Sequence, residues 1–251
     1  MGAIAQPLNS AYKKAEFEWY LADTTPRIII VDSTCIENMG IIEASIALNI
    51  PLYAYSCGGV TNDASLSVHL SSKCQMEKTE GVVKVAREED IALYLHTSGT
   101  TSAPKGVPLS HRNLIASIVN ISGTYDLTEN DRTLIVMPLY HVHGLVAALL
   151  STLGTGGTVI LPEAGKFSAS TFFRDANLHH PTWFTAVPTM HQIIYSTIEG
   201  HTDKSTHALG LRFVRSCSAP LHPSLLTKLE EVHLCPVLEA YAMTEAAHQM
   251  T

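Results

Sequence analysis

The sequence predicts an α/β protein built from parallel sheets flanked by helices. Three observations carry that expectation. From Ile91 onward, short apolar strand-like runs alternate with stretches of helical period. Ahead of them, residues 27–55 read as a strand–helix–strand unit with parallel pairing. Of the 251 residues, 46% are hydrophobic and only 16% charged, enough to bury one large domain or two small ones.

In chain order, residues 8–21 read as a turn and an amphipathic helix with Phe17, Tyr20 and Leu21 on one face. Arg27 to Val31 is a β-branched strand, 36–48 a helix, and Leu52 to Tyr55 a second strand. Met1 to Gln6 offers no element to shield the edge of such a sheet. Residues 56–90 read as loop with one short strand, Ser65 to Leu70, and then a polar, mixed-charge run. The expected organisation is a partial α/β subdomain over 1–75, a linker over 76–90, and a second α/β subdomain over 91–251. Within the latter the expected order is strand 91–96, a loop, helix 110–122, strand 133–137, helix 143–153, strand 157–161, helix 168–178, strand 183–187, helix 188–198, strand 211–215, helix 222–232 and strand 236–240. Such alternation predicts a parallel sheet covered on both faces, with ligands beyond the carboxyl ends of its strands.

Composition narrows the function classes. Net charge is -7, and no Lys/Arg cluster is longer than Lys13-Lys14, which argues against nucleic acid as a partner. The five cysteines are odd in number and form no Cys-x-x-Cys pair, as expected of reduced thiols inside a cell, in the cytoplasm or, alternatively, the peroxisome. The longest apolar run, Gly144 to Leu161, is interrupted by glycines and hydroxyl residues and is not a membrane span. Thirteen histidines include no His-Glu-x-x-His, so zinc is not indicated.

The most informative stretch runs from Leu93 to His111. A strand feeds Thr97, Ser98, Gly99, Thr100, Thr101 and Ser102, and Lys105-Gly106 closes the loop before Ser110, a candidate N-cap. Backbone N–H groups, hydroxyls and one lysine suit the oxygens of a polyphosphate. The alternative is an ordinary surface turn. The loop is not a Walker loop, because Lys105 is followed by Gly106-Val107. Three further clusters follow strands. Met137-Pro-Leu-Tyr-His-Val-His-Gly144 carries His141 and His143, Arg215-Ser-Cys-Ser-Ala-Pro-Leu221 carries Ser218 and Ala219, and Glu239-Ala-Tyr-Ala-Met-Thr-Glu245 carries Ala240, Tyr241 and Thr244, with His248 just beyond. Each alone is as readily structural as functional. Together, His141, His143, Ser218 and His248 suggest a small polar pocket suited to a compact dianion.

Thr97 to Gly106 resembles the signature loop of the adenylate-forming superfamily (acyl-CoA synthetases, adenylation domains, luciferases), with Ser102 where glycine is usual; that serine and the following Gly-Val-Pro-Leu resemble the oxalate–CoA ligase branch. The resemblance covers about Pro7 to Thr251. It implies ATP, Mg²⁺ and CoA as cofactors and a small carboxylic acid, oxalate above others, as substrate. It implies that Thr97, Ser98, Gly99, Thr100, Thr101 and Lys105 hold the phosphates. His141 would lie by the acyl carboxylate and the pyrophosphate path, and His143 would line the acyl pocket, to which the residue pattern itself adds His248. Ser218, Ala219, Glu239, Ala240 and Tyr241 would border the nucleotide, with Tyr241 stacked on adenine. Thr244 would bond the α-phosphate, and Glu245 with Thr100 would hold Mg²⁺. His141, Thr244 and Lys105 would be the catalytic set. Ala242 replaces the motif's usual glycine. The family also uses a lysine on a C-terminal lid and a ribose-clamping aspartate, neither of which falls within these 251 residues; the expectation is an interior fragment, inactive alone. Alternatives are a ligase for another small, fatty or aromatic acid, a non-catalytic nucleotide-binding module, and an unrelated NTPase.

Overall fold

The computed structural model describes residues 2–33, 38–56, 67–70, 85–97, 103–199 and 209–251. The chain divides into two units, Leu8–Val82 and Met1–Pro7 with Val83–Thr251.

In the smaller unit, α1 (Lys14–Thr24) buries Phe17 and Leu21, one turn apart, against Ile29, Ile41 and Ala44. The Lys13 backbone N–H donates to Glu16 Oε2 at 2.9 Å, which closes the first turn. β1 (Ile29–Asp32) pairs in parallel with β2 (Leu52–Ser56) across α2 (Met39–Ala47), as the strand–helix–strand reading requires. The Asn38 side chain caps α2 by accepting from Gly40 N–H at 3.0 Å. β3 (Ser67–Leu70) adds antiparallel to β2.

The larger unit begins with a difference from expectation. β4 (Ile91–His96) is not a strand of the parallel sheet. It forms an antiparallel hairpin with β5 (Gly106–Ser110), a strand the sequence reading did not foresee. Alternation in Gly-Val-Pro-Leu-Ser puts Val107 and Leu109 inside and Pro108 outside, a half-buried strand of the usual kind. Ala5 also bridges Leu93 in parallel, giving the N-terminal segment a place in the hairpin. Ser110 caps α3 (His111–Thr124), accepting from Asn113 N–H, as its position suggested.

The main sheet runs β10 (Val237–Ala240), β9 (Phe213–Cys217), β8 (Trp183–Ala186), β6 (Arg132–Leu134), β7 (Thr158–Ile160), all parallel. The central strands β8 and β9 are buried at every residue, the pattern of a sheet covered on both faces. Their side chains alternate. Phe184, Ala186 and Val214 pack with α5 (Ala169–His179), α6 (Pro188–Glu199) and α7 (Pro223–His233). Trp183 and Phe213 turn to the other face, against Ile121 of α3, Val146, and the hairpin residues Leu93, Leu95, Val107 and Leu109. Here a π-helix spans His143–Leu150 and passes into α4 (Ser151–Gly154), where a plain α-helix was expected. Wide turns of this kind concentrate at functional sites. Beyond the sheet, β11 (Ala242–Met243) and β12 (His248–Gln249) pair antiparallel around the 3₁₀ turn Thr244–Ala246.

No helix among the described residues is long and apolar enough to cross a membrane.

Candidate active site

The hairpin positions the hydroxyl loop. At its neck, Thr97 N–H donates to the Lys105 carbonyl and Lys105 N–H donates to Thr97 Oγ1, each at 3.0 Å. Ser98, Gly99, Thr100 and Thr101 lie outside the described residues. Lys105 is exposed. The hairpin is fixed to the motif that ends the chain: β5 lies against the 3₁₀ turn, Ala247 belongs to the same core as Val107 and Leu109, and Ser117 Oγ of α3 donates to the Ala247 carbonyl at 2.9 Å.

At the carboxyl ends of β9 and β10 a cleft of about 470 Å³ is lined by Ser218, Ala219, Glu239, Ala240 and Tyr241, five residues picked out from sequence. Glu239 Oε1 accepts from Leu221 N–H at 2.9 Å, which ties the small-residue loop to β10. Tyr241 leaves 62% of its surface exposed, a free ring on the cleft wall. Glu245 is exposed beside Thr244. A carboxylate is a hard oxygen donor, so Glu245 fits a magnesium ion shared with phosphates.

A second, buried group of polar side chains stands on the sheet face that meets the π-helix. His143 opens that helix and is 1% exposed. Its Nε2 lies 2.6 Å from Thr185 Oγ1 of β8 and its Nδ1 lies 3.1 Å from Ser218 Oγ. Thr185 is the cross-strand partner of Arg215 on β9, whose guanidinium is fully buried. Arg215 donates from Nε to the Tyr125 hydroxyl (2.9 Å), from Nη1 to Thr185 Oγ1 (3.1 Å) and from Nη2 to Gln249 Oε1 (3.1 Å), and its Nη2 also lies 3.5 Å from His248 Nδ1. The His143 and His248 rings are 5.4 Å apart. His141 sits in the turn before the π-helix, half-buried.

Burial, and then the charge of Arg215, hold His143 well below its ordinary pKa and push His248 down to about 2. Burial alone lowers His141. The imidazoles are therefore neutral hydrogen-bonding groups at physiological pH. Two residues of the group have left-handed backbone, Ser218 with φ 75° and His248 with φ 122°. Such strain in side-chain-bearing residues gathers at functional sites. A ring nitrogen of His143, Cys217 Sγ and a ring nitrogen of His248 lie within 4.8 Å of one another, but the neighbouring guanidinium opposes a cation there.

The fold thus brings His143, Ser218 and His248 together, and it places the cleft residues Ala219, Glu239, Ala240 and Tyr241 beside Ser218. Sequence reasoning missed Thr185, Arg215 and Gln249. For Arg215 a signal was available: a charged residue inside the otherwise uncharged strand Phe213-Val-Arg-Ser-Cys217.

Gly144 is required by this arrangement. A Cβ there would stand 2.3 Å from the Pro138 carbonyl oxygen and 2.7 Å from that of Met137. Gly144→Ala is expected to cost about 1–3 kcal/mol, read as a lowered urea midpoint. An unchanged midpoint would show that the turn yields without strain.

A family model described as AMP-binding enzyme matches residues 1–251. The oxalate–CoA ligase of Arabidopsis thaliana is 49% identical over 249 residues, covering 99% of this chain and 47% of that protein. Among solved structures, ATP-bound MatB from Rhodopseudomonas palustris superposes with a TM-score of 0.76 at 26% identity, over 98% of this chain and 46% of that one. MenE from Bacillus subtilis, in complex with ATP and magnesium ion, gives a TM-score of 0.72 at 26% identity over 97% of this chain and 45% of that one. The chain spans about half the length of the relatives it matches. With a match along its whole length and a mixed α/β architecture shared with these enzymes, the chain belongs to the AMP-binding enzyme family.

Proposed function

We propose that this chain forms the ATP- and acid-binding part of an ATP-dependent acid–CoA ligase whose acid is oxalate. The observation that carries the acid is the buried cluster of Arg215, Thr185, His143 and His248 reaching the cleft through Ser218. It offers several hydrogen bonds and one cation in a confined space, which suits a compact dianion and not an alkyl chain. The resemblance to a plant oxalate–CoA ligase agrees with that chemistry.

In the first step a carboxylate oxygen attacks the α-phosphorus of ATP, the bond to pyrophosphate breaks, and an acyl-adenylate forms. In the second the CoA thiol attacks the acyl carbon, loses its proton, and AMP leaves. The protein's task is positioning and charge stabilisation. Tyr241 offers its exposed ring to adenine, with Ser218, Ala219, Glu239 and Ala240 along the nucleotide. Thr97, Lys105 and, between them, Ser98, Gly99, Thr100 and Thr101 take the phosphates, Thr244 the α-phosphate, and His141 the pyrophosphate path. When bound, Mg²⁺ neutralises phosphate charge; Glu245, with Thr100, would hold it. The same reading keeps 76–90 as a linker between subdomains 1–75 and 91–251, and a cytoplasmic setting with the peroxisome as alternative.

The test is acid-dependent exchange of labelled pyrophosphate into ATP, run with Mg²⁺ on the full natural protein that carries this chain. Exchange driven by oxalate above other acids is expected. Exchange driven only by fatty or aromatic acids would overturn the choice of acid. ATP binding without exchange for any acid would leave a nucleotide-binding module, and phosphate release without acid would mean an NTPase.

A further inference from the structure

Arg215 is unusual on physical grounds alone. A guanidinium with no exposed surface costs several kcal/mol to desolvate unless an anion compensates it. Among the described residues it pairs with no carboxylate. Its partners are a phenol, a threonine hydroxyl, a glutamine carbonyl and an imidazole.

Those partners fix the direction of every hydrogen bond that follows. A guanidinium only donates, so Thr185 Oγ1 accepts from Arg215 Nη1. The Thr185 hydroxyl hydrogen then needs an acceptor, and in this buried position the ring nitrogen 2.6 Å away, His143 Nε2, is the one recorded. His143, being neutral, must carry its proton on Nδ1, and it donates that proton to Ser218 Oγ at 3.1 Å. The Ser218 hydroxyl hydrogen is thereby released toward the cleft that Ser218 lines. On the other branch, His248 Nδ1 faces the Arg215 donor, so its proton sits on Nε2. That Nε2 is buried and has no protein partner among the described residues. One cation thus feeds two imidazoles: one branch ends on the Ser218 hydroxyl at the cleft, the other on the His248 Nε2–H, a buried donor left without a partner among the described residues.

We infer that Arg215 is the positioning residue of the acid pocket: through Thr185 and His248 it sets both imidazole tautomers so that Ser218 and His248 donate to a second carboxylate, and it supplies the positive charge which selects short dicarboxylates over monocarboxylates. The inference rests on the acid-ligase reading above and adds to it the source of charge and the reason for selectivity. Arg215 itself touches Thr185 and His248, not the reacting atoms.

The experiment compares the full natural protein with Arg215→Met, Arg215→Lys and Thr185→Val. Long-range ¹⁵N–¹H spectra of the imidazoles, taken without substrate, report which nitrogen holds each proton. His143 is expected as the Nδ1–H form and His248 as the Nε2–H form in the native protein. Thr185→Val is expected to release only His143 from its tautomer, and Arg215→Met both. In kinetics, Arg215→Met is expected to lower kcat/KM for oxalate roughly 100-fold, mostly through KM, while acetate and ATP change less than about threefold. Arg215→Lys keeps the charge and loses the fork, so partial recovery for oxalate is expected. Opposite tautomers in the native protein would overturn the inference. So would equal losses for oxalate and acetate, the mark of a packing role. Should Arg215→Met fail to fold, Arg215→Lys and Thr185→Val decide on the same criteria. If the native protein activates no dicarboxylate, the acid assignment fails by its own test, and the spectra still judge the tautomers.

Discussion

Lowering the pH from 7 to 4 is expected to remove most of this protein's resistance to urea. His191, His233 and His248 are each no more than 2% exposed. Burial pushes His191 and His233 down to about 4 and His248 to about 2. In the unfolded chain all three titrate near 6.5. Above that value neither state binds a proton at these rings, and they add no pH dependence. Below it the unfolded state takes up protons that the folded state refuses, so stability falls with pH until each folded pKa is reached. At pH 4 each histidine then subtracts roughly 3 kcal/mol. Three such terms rival the whole stability of an ordinary domain, about 5–15 kcal/mol. The check is a series of urea midpoints at pH 7, 5.5 and 4. His233 is the clearest single site, since neither ring nitrogen has a partner among the described residues and the ring sits 5.9 Å from Phe184. His233→Leu should flatten the slope below pH 6.5. A midpoint constant from pH 7 to pH 5 would show that these rings take up protons in the folded state without penalty.

The second large effect belongs to Asp131, at the entrance to β6. Its carboxylate is buried and accepts from Thr182 Oγ1 at 2.7 Å, Arg212 Nη1 at 2.7 Å and Thr128 N–H at 2.9 Å. Burial opposes its ionisation, yet the bonds from Thr182, the Thr128 backbone and Arg212 prevail and lower its pKa. Because the folded value is depressed, the carboxylate stabilises the fold above its unfolded pKa, and the contribution is lost as pH falls through the folded one. These contacts tie the start of β6 to the entrances of β8 and β9. Asp131→Ala leaves Thr182 without its acceptor and Arg212 without its counter-charge. Roughly 3 kcal/mol is expected, held to the lower part of the range for buried pairs because the Arg212 side chain keeps 42% of its surface in water. The urea midpoint should fall at constant slope. A loss well under 1 kcal/mol would show that water replaces the carboxylate without cost.

Much of the larger unit was legible in the sequence because its signals are local. Buried parallel strands read as apolar runs, and Ser110 announced its helix by spacing alone. The cleft residues were legible because they follow strands directly. β5 was missed because its five residues lie between a loop and a helix, and half-buried alternation is weak over so short a span. The π-helix was missed because wide turns carry no periodic signature distinct from α. Thr185 and Arg215 were missed for a deeper reason: they lie thirty residues apart and gain meaning only from the register that sets them side by side. The roles of individual motif residues are likewise a matter of where folding sets them, not of their order along the chain.

The pairing of Thr185 with Arg215 has a consequence for redesign. Neighbouring strands hold their partners far more rigidly than surface loops do, so a preference written into two facing sheet positions resists drift when the rim of the cleft is altered. On the proposed reading of the acid pocket, changing which acid is accepted would then call for replacing that pair in concert, while edits at rim positions other than Ser218 would leave the pair untouched.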